Sequence, residues 1–268
     1  MSESRSKDIK FYQFHTGEWK LTEGKIIIER VVSLIVNGKV WMDMLCTPNQ
    51  LDHLAVGFLF NEGLIRSKDD LANVHVCQSD DYVEVKTNNE LSQPTYWRTT
   101  TGCSGGRTSL SLPQLPEPNL HDIQLSSQSI SDLLQKFLSA QQQYLEARGV
   151  HTSALSDGKE IIALAEDIGR HNTLDKLAGY CLLNQILLPQ PIIITTGRIS
   201  SEMLQKSARM GTSVIISLTS PNNYSIELAD YWGITLVGYA RASSFNVYTH
   251  PKRIMSRDTI LRLDNKSA

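Results

Sequence analysis

The C-terminal half of the chain repeats one local pattern, in which a short apolar run is followed by a polar turn and then a helical stretch. The apolar runs lie at 161–165, 192–195, 213–218 and 235–239, and their length and composition predict buried strands. Because strands that alternate with helices at this spacing are joined by right-handed crossovers, the pattern predicts a largely parallel sheet flanked by helices. The helices are predicted over 172–184 and 200–210 and from Ser220-Pro221 onward, and a last strand is predicted over 246–249.

A β-hairpin is predicted near the N-terminus of the chain. Residues 26–36 and 40–46 are strand-like, and Asn37-Gly38 lies between them. Asn and Gly readily adopt the two positive φ values of a type I′ turn, so this dipeptide sets the register of the hairpin. Two further short strands are predicted over 74–77 and 82–86.

Helices are predicted on either side of a long polar segment. The first begins with Thr47 as its N-cap and ends before Gly63. Residues 88–128 are rich in Ser, Thr, Pro, Gly and Gln, and predict a long mobile segment that holds Cys103. A second helix is predicted over 131–148. Its predicted buried face comprises Leu133, Leu134, Phe137, Leu138, Tyr144 and Leu145.

These elements predict an α/β protein of two parts. Residues 1–128 are predicted to form a smaller N-terminal α+β subdomain that ends in the mobile, cysteine-bearing loop, and residues 129–268 the main α/β domain. A chain of 268 residues is long enough for one large or two medium domains.

Composition and charge narrow the class of protein. The net charge of −2 gives no reason to expect binding to nucleic acid or to an anionic membrane. The polar N-terminus lacks the apolar run of a secretion signal, and no apolar run approaches the roughly 20 residues of a membrane span. Four cysteines without a C-x-x-C pair predict neither a disulfide framework nor a thiolate zinc site. We therefore expect a reduced, cytoplasmic protein without a metal site.

One polar run is denser than any other: Glu166-Asp-Ile-Gly-Arg-His-Asn-Thr-Leu-Asp-Lys176, directly after the predicted strand 161–165. Ligands bind at the carboxyl ends of strands in α/β proteins, so this position favours a binding site that includes Arg170 and His171. The alternative is a charged, solvated helix start. The polar turns that follow the next two strands favour the site.

The turn after the next strand, Thr195-Thr-Gly-Arg-Ile-Ser-Ser-Glu202, suits a phosphate group. Gly197 allows close approach of the backbone, the helix start offers N–H groups, and Arg198 adds a guanidinium. The turn is not a Walker A loop, because it has no G-K-[ST]. A capped turn with a surface arginine is the alternative interpretation, and both readings also stay open for the similar turn at 219–223.

Cys103 lies in the run Thr99-Thr-Thr-Gly-Cys-Ser-Gly-Gly-Arg107. Small neighbours leave its sulfur unshielded, and the flanking Arg98 and Arg107 favour the reactive thiolate. The residues alone leave two alternatives open, a nucleophilic or sulfur-carrying role and an incidental exposed cysteine. The other cysteines lie on apolar segments and are predicted to be core residues: Cys46, Cys77 and Cys181.

Two further features leave a structural and a functional interpretation open. His151 is a candidate polar-site residue, although a single histidine is more often structural. The segment Phe245-Asn-Val-Tyr-Thr-His250 alternates as a strand does, and edge-strand packing and ligand binding both fit it.

Together these segments closely resemble the formate dehydrogenase accessory sulfurtransferase family, of FdhD/NarQ type, over nearly the whole chain. The matching segments are Val36-Asn-Gly38, Gly57-Phe-Leu-Phe-Asn-Glu-Gly63, Thr101-Gly-Cys-Ser-Gly105, Glu166-Asp-Ile-Gly-Arg-His-Asn172 with Asp175-Lys176, Thr196-Gly-Arg-Ile-Ser200 with Glu202, Gly238-Tyr-Ala-Arg241 and Asn246-Val-Tyr-Thr249. The order and number of these motifs make the resemblance specific.

The resemblance implies a sulfur carrier. Such a protein accepts sulfur from a cysteine desulfurase as a persulfide, binds the bis(molybdopterin guanine dinucleotide) form of the molybdenum cofactor as its substrate, and sulfurates it for a formate dehydrogenase. The resemblance also implies a homodimer and a cytidine deaminase-like fold, in which a sheet is flanked by helices.

Carried over by position, the resemblance implies that Cys103 is the residue that bears the persulfide. It gives cofactor binding to one C-terminal segment, Phe245, Asn246, Val247, Tyr248, Thr249 and His250. The two pyrophosphates of the cofactor would suit the glycine turn and basic residues identified above, and the predicted site is completed by Gly197, Arg198, Arg170 and His171.

One motif departs from the family pattern. Many members carry Cys-Gly-x-Cys at the loop, whereas this chain has Cys103-Ser-Gly-Gly106. Cys103 therefore acts alone or with the thiol of a partner. A chaperone that binds and delivers the cofactor without carrying sulfur is the main alternative. A zinc deaminase is disfavoured, because the sequence lacks the H-x-E and P-C-x-x-C motifs.

Overall fold

The computed structural model describes residues 5–79, 81–95, 98–99, 107–108 and 123–254. The strands are β1 Ser6–His15, β2 Glu18–Ile27, β3 Arg30–Val36, β4 Lys39–Cys46, β5 Leu71–Val76, β6 Tyr82–Thr87, β7 Arg98–Thr99, β8 Arg107–Thr108, β9 His151–Ser156, β10 Ile161–Asp167, β11 Ile192–Thr195, β12 Val214–Ser217, β13 Thr235–Arg241 and β14 Ser244–Val247. The helices are α1 Leu51–Asn61, α2 Ser127–Ser139, α3 Gln142–Ala147, α4 Arg170–Leu183, α5 Ser201–Arg209 and α6 Asn223–Tyr231.

The central sheet has the strand order β10-β9-β11-β12-β13-β14 within the described residues. β11, β12 and β13 run parallel, as the strand–helix alternation predicts. β9 pairs antiparallel with both β10 and β11, and β14 pairs antiparallel with β13. The prediction of a largely parallel sheet is therefore wrong, and the sheet is mixed. The sequence pattern misses β9 because Thr152, Ser153 and Ser156 are buried there without being apolar.

The four-stranded sheet has the order β4-β3-β6-β5, and α1 packs on one of its faces. Its β3–β4 hairpin is confirmed, since Asn37 and Gly38 have φ values of 49° and 76°. The prediction of Thr47 as the N-cap of α1 is wrong, because Gln50 occupies that position. The hydroxyl of Thr47 instead accepts a hydrogen bond from the N–H of Ile168, at the end of the central sheet.

The first two strands form an exposed hairpin that the sequence pattern does not predict. β1 and β2 pair over their full length, and large apolar side chains remain exposed on them, including Tyr12, Phe14 and Trp19. Most residues of both strands are exposed, so the hairpin lacks the half-buried pattern by which a strand is recognised in a sequence. The predicted strand 26–36 is accordingly two strands, with β2 ending at Ile27 and β3 beginning at Arg30.

The predicted helix over 131–148 is wrong in its extent, because the chain forms two helices there, α2 and α3. The carboxylate of Glu166 accepts hydrogen bonds from the N–H groups of Gln143 and Tyr144, so a new helix begins at that carboxylate. Leu138 and Leu145 lie on the exposed side, with 46% and 68% of their surface accessible, contrary to the predicted buried face.

The two larger sheets are joined by direct backbone contact between α1 and α4. A Cβ placed on Gly57 would lie 1.7 Å from the carbonyl oxygen of Asp175, and one on Gly179 would lie 1.9 Å from that of His53. Only glycine allows the helices to approach this closely. The division of the chain at residue 128 stays a prediction, and the contact shows that elements from both sides of it pack together.

The architecture is therefore mixed α/β, with helices packed on the sheets, and the finer cytidine deaminase-like classification stays a prediction. Among the helices that the structure describes, none combines the length and apolar character needed to cross a membrane.

Candidate functional site

Polar turns follow three strands at one edge of the central sheet. β10 ends at Asp167, β11 at Thr195 and β12 at Ser217, and α4, α5 and α6 begin a few residues later. Because β9 runs in the opposite direction, its first residue, His151, lies at the same edge beside Asp167. We call this the carboxyl edge. It gathers strand ends and the N-termini of three helices, which is where α/β proteins bind anionic ligands.

A cavity of about 160 Å³ opens at the carboxyl edge, and we call it the edge cavity. Its lining brings together Arg170, the first residue of α4, and Arg198, from the turn after β11. No acidic side chain is among the described residues that line it, so the edge cavity presents guanidinium charge to a ligand. The remaining lining residues are Ile199, Ser200, Ser220, Pro221 and Asn222.

Two of the lining residues begin helices. The hydroxyl of Ser200 caps α5 by accepting from the N–H of Met203, which confirms the predicted start of this helix. The prediction that Ser220-Pro221 caps α6 is wrong, since Asn222 is the N-cap and accepts from the N–H of Ser225 at 2.7 Å. Two backbone hydrogen bonds of 3.2 Å join Ile199 to Ser220 and Asn222, so the starts of α5 and α6 form one wall.

Gly197, the residue before Arg198, packs closely against Arg170 at the edge cavity. A Cβ at this position would lie 3.0 Å from the Cβ of Arg170, which is tighter than side chains normally pack. The N–H of Gly197 donates to the hydroxyl of Thr195, and its carbonyl accepts from the hydroxyl of Ser217. The predicted glycine turn is therefore a fixed loop that packs against the start of α4.

The two histidines at this edge are held neutral by burial and by the neighbouring cations. Burial lowers the pKa of His171 well below its ordinary value, and Lys206, Arg170 and His151 lower it further. Burial also lowers the pKa of His151, with Arg170 adding to the effect. His171 Nε2 lies 3.4 Å from the hydroxyl of Ser200, so it contacts the wall of the edge cavity. The positive charge there belongs to the arginines.

The rest of the run from Glu166 to Lys176 points into the protein. Lys176 forms an ion pair of 2.7 Å with Asp167, and both side chains are fully buried. The ammonium of Lys176 also lies 3.0 Å from the side-chain oxygen of Asn49, and the N–H of Thr47 donates to Asp167. These residues tie the four-stranded sheet to the central sheet. The interpretation of the run as a solvated helix start is wrong.

A second buried ion pair lies deeper along α4. Lys206 contacts both carboxylate oxygens of Asp175, at 2.6 and 2.7 Å, and the amide of Asn61 donates to the same carboxylate. The pair therefore connects α4, α5 and α1. The cation of this pair, Lys206, also lowers the pKa of His171, which contacts the wall of the edge cavity.

The segment from Phe245 to His250 leaves the carboxyl edge. β14 runs antiparallel to β13, so the chain moves away from that edge after Ser244. Thr249 is buried, and its hydroxyl bonds the backbone of Leu236 and Ile234. His250 contacts the carbonyl of Asp230 near the end of α6. Phe245 and Val247 pack on the apolar cluster beside α2, whereas Asn246 is exposed.

Tyr248 is the member of this segment that returns toward the edge cavity. Its ring lies 2.9 Å from the position that a Cβ on Gly238 would take, and Pro221 and Thr219 come within 3.0 Å of the same point. The ring therefore packs beside the turn that lines the edge cavity. The structure brings Arg170, His171, Gly197 and Arg198 together and leaves Thr249 and His250 at a distance along the sheet.

Cys103 lies outside the described residues. β7 and β8 pair antiparallel, with Arg98 opposite Thr108 and Thr99 opposite Arg107, and so bracket residues 100–106. Of the other cysteines, Cys46 is buried as predicted, whereas Cys77 is partly exposed and lies after the end of β5. Hydrogen bonds from Ser79 lower the pKa of Cys77, and burial raises that of Cys181 to about 11.

Sequence reasoning left the wall residues Ser200, Ser220 and Asn222 out of the predicted site. The signal that identifies them is the polar turn that repeats after buried strands, at 195–202 and at 219–223. In the portion of the chain that the structure describes, no three His, Cys, Asp or Glu side chains cluster to hold a metal ion.

The chain is similar to known proteins over most of its length. A model of the FdhD/NarQ family matches residues 27–255. A Bacillus pumilus protein named sulfur carrier protein FdhD is 33% identical, covering 95% of this chain and 99% of its own. A Staphylococcus aureus protein of the same name is also 33% identical, covering 94% and 99%.

A solved structure shares the fold. The crystal structure of a candidate formate dehydrogenase accessory protein from Desulfotalea psychrophila superimposes with a TM-score of 0.78. The two sequences are 26% identical, and the match covers 94% of this chain and 100% of that one.

Proposed function

This chain belongs to the FdhD/NarQ family, and from that premise we propose that it is a sulfur carrier for the molybdenum cofactor of a formate dehydrogenase. It takes sulfur from a cysteine desulfurase as a persulfide on Cys103. It then transfers the sulfur to the bis(molybdopterin guanine dinucleotide) cofactor, which makes it a sulfurtransferase. We expect it to act in the cytoplasm as a homodimer.

The names of its relatives support the coarse form of this proposal. Proteins that are 33% identical over nearly their full length are named sulfur carriers, and a structural neighbour is described as a candidate formate dehydrogenase accessory protein. The coverage is high in both directions, so the similarity is not restricted to one shared segment.

The observation that carries the proposal is the edge cavity. Arg170 and Arg198 line it, and a guanidinium group can donate two parallel hydrogen bonds to phosphate oxygens. The start of α5 beside Ser200 adds the positive end of a helix dipole. A pyrophosphate is the part of the cofactor with matching charge. These features favour an anionic ligand over a neutral one.

The residues present fit that group. The edge cavity, at about 160 Å³, is smaller than the 300–1,000 Å³ typical of sites that enclose a whole drug-sized ligand. It would therefore take a diphosphate and leave the pterin and guanine parts on the surrounding surface. The described lining holds hydroxyl, amide and guanidinium groups, all of which can donate hydrogen bonds to phosphate.

The sulfur-loading step is a thiol exchange at Cys103. The thiolate of Cys103 attacks the terminal sulfur of the donor persulfide and forms a new S–S bond with it. The S–S bond of the donor breaks at the same time, and the desulfurase cysteine leaves as a thiolate. No net oxidation or reduction occurs in this step.

Intact-protein mass spectrometry tests the proposal. After incubation with a cysteine desulfurase and cysteine, the wild-type chain is expected to gain the mass of one sulfur atom, and Cys103→Ser is expected to gain none. Cys77→Ser is the matched control, because Cys77 is a partly exposed thiol with a lowered pKa and should leave the gain intact. Sulfur gain by Cys103→Ser equal to that of the wild type would contradict the proposal.

The alternative, a chaperone that delivers the cofactor without carrying sulfur, is separated by the same experiment. It predicts no sulfur gain in any variant while a desulfurase of proven activity is present. The absence of a second cysteine three residues after Cys103 is the feature that favours this alternative.

A further inference from the structure

β13 carries an exposed aromatic ring between two buried residues. Tyr239 is 51% exposed, whereas its neighbours Gly238 and Ala240 are buried. The residue lies near the carboxyl end of β13, at the edge that also holds the edge cavity. A single exposed tyrosine is ordinary on a protein surface, whereas the backbone conformation at Tyr239 is not.

The backbone at Tyr239 is turned away from the strand conformation. Its φ is 52°, in the left-handed region that bulky side chains rarely adopt. The pairing of β13 with β14 shifts register between Gly238 and Arg241, as in a β-bulge. Bulges and strained residues of this kind cluster beside functional sites, where they re-aim a side chain.

The bulge exchanges two side chains between the interior and the surface. Val237 packs in the apolar cluster beside α2, and strict alternation would place Tyr239 in the same cluster. Ala240 occupies that cluster instead, and the ring of Tyr239 lies outside. The ring of Tyr239 is therefore accessible on a backbone conformation that bulky residues rarely adopt.

Tyr239 is anchored to the wall of the edge cavity. Its N–H donates to the carbonyl of Thr219 at 2.9 Å, directly before the lining residues Ser220 and Pro221. Gly238 leaves no room for a Cβ against Pro221 and the ring of Tyr248. The strained residue and the edge cavity are therefore parts of one rigid assembly.

We propose that Tyr239 is the stacking surface for the planar base of a nucleotide whose diphosphate occupies the edge cavity. This inference rests on the proposed function, since it assigns a residue to the guanine end of the same ligand. A ring presented on a fixed backbone binds the face of a base without losing side-chain freedom. Tyr239 then determines the preference for a nucleotide over a bare diphosphate.

Affinity for two probes, GDP and inorganic pyrophosphate, tests this assignment by titration calorimetry on the full chain. Tyr239→Phe and Tyr239→Leu are compared, because both keep a Cβ on the strained backbone and only one keeps a ring. Tyr239→Leu is expected to weaken GDP binding about 5- to 150-fold, the range seen when one stacking contact is removed. Tyr239→Phe is expected to stay within about twofold of the wild type.

The pyrophosphate titration separates stacking from a general effect. Both variants are expected to bind pyrophosphate as the wild type does, and Tyr231→Leu, an exposed tyrosine at the end of α6, is the matched control. Equal GDP affinities for the Phe and Leu variants would overturn the inference, as would parallel losses for both probes. A wild-type chain that binds neither probe would instead contradict the proposed function.

A measurement on the wild type covers the case in which Tyr239→Leu does not fold. The ring resonances of Tyr239, assigned by their absence in Tyr239→Phe, are expected to shift upfield on addition of GDP and to stay in place with pyrophosphate. No shift with saturating GDP would overturn the inference.

Discussion

The eleven residues from Glu166 to Lys176 supply two regions of opposite character. Arg170 and His171, in the first turn of α4, lie at the edge cavity. Asp167 and Lys176 are fully buried and pair with each other between the two sheets. We call the first pair the outer half and the second pair the inner half.

The difference lies in where the charged groups are placed. The inner half contains both signs of charge in contact, with further hydrogen bonds, so its cost of burial is offset within the protein. The outer half places Arg170 at the edge cavity, beside Arg198, and the described lining of that cavity holds no carboxylate. A dense run of charged residues in a sequence can therefore belong to a buried contact between two sheets or to a binding site. Only the placement of the side chains in the structure distinguishes the two.

The inner half is expected to control stability. Lys176→Met keeps most of the side-chain volume and leaves Asp167 as a buried charge without its cation. Removing one partner of such a pair typically costs about 3–5 kcal/mol in the free energy of unfolding. Urea unfolding of the purified variant measures this loss.

Lys86→Met is the control for the inner half, because Lys86 pairs with Glu84 at 3.8 Å on the surface. Its expected effect is below about 1 kcal/mol. Equal effects of the two substitutions would remove the distinction between the halves.

Gly57→Ala tests the close approach of α1 to α4, which occurs next to the inner half. The new methyl group would lie 1.7 Å from the carbonyl oxygen of Asp175, so the helices must separate. We expect a loss of about 2–3 kcal/mol in the free energy of unfolding, as overpacked cores show. Gly24→Ala meets only the exposed ring of Phe11 and should change stability by less than about 0.5 kcal/mol. A loss at Gly57 no larger than at Gly24 would argue against the packing described.

Arg198, which lines the edge cavity together with Arg170 of the outer half, is expected to control binding and not stability. Arg198→Gln removes an exposed guanidinium. The loss of one charge-assisted hydrogen bond is expected to weaken the binding of an anion by about 1.5–3 kcal/mol, which raises the dissociation constant roughly 10- to 150-fold. Calorimetric titration with pyrophosphate measures it, and Lys159→Gln, another exposed cation, should leave the affinity unchanged. If Arg198→Gln lowered stability as much as affinity, Arg198 would be a structural residue and not a binding residue.

The buried His171 is expected to make the stability depend modestly on pH. The pKa of His171 in the folded protein lies below about 6.5, its value in an unfolded chain, so the unfolded state takes up protons first as pH falls. Stability from the neutral His171 is complete above about pH 6.5 and is lost toward the lowered pKa.

We expect His171→Gln to flatten this dependence, measured as the urea midpoint between pH 7.5 and 5.5. Part of the slope should remain, because burial also lowers the pKa values of His151 and His53. A slope identical to that of the wild type would show that His171 does not titrate in this window.

Parts of the fold follow from local sequence signals. The strand at 192–195 is confirmed to the residue, because four consecutive apolar or β-branched residues precede a polar turn. The Asn37-Gly38 turn and the Ser200 cap are confirmed, since each depends on the chemistry of one or two residues. The same local signals identify the polar turns after β10 and β11, which the structure brings to one edge of the sheet, and ligand binding at that edge stays a prediction.

Other parts depend on contacts that no local pattern contains. β9 is buried through hydrogen bonds, such as that between the hydroxyls of Ser153 and Thr173 at 2.6 Å, and so lacks an apolar signature. The break between α2 and α3 depends on Glu166, a carboxylate distant in sequence. The inward direction of Lys176 depends on Thr47 and Asn49, from the segment between β4 and α1.

The most direct test of the account is one crossed experiment on the wild type, Cys103→Ser and Arg198→Gln, in which sulfur gain and GDP affinity are measured on the same preparations. The account predicts that Cys103→Ser binds GDP as the wild type does and gains no sulfur from the desulfurase. It predicts that Arg198→Gln gains sulfur normally and binds GDP at least about tenfold more weakly. Sulfur gain by Cys103→Ser, or unchanged GDP affinity in Arg198→Gln, would contradict it.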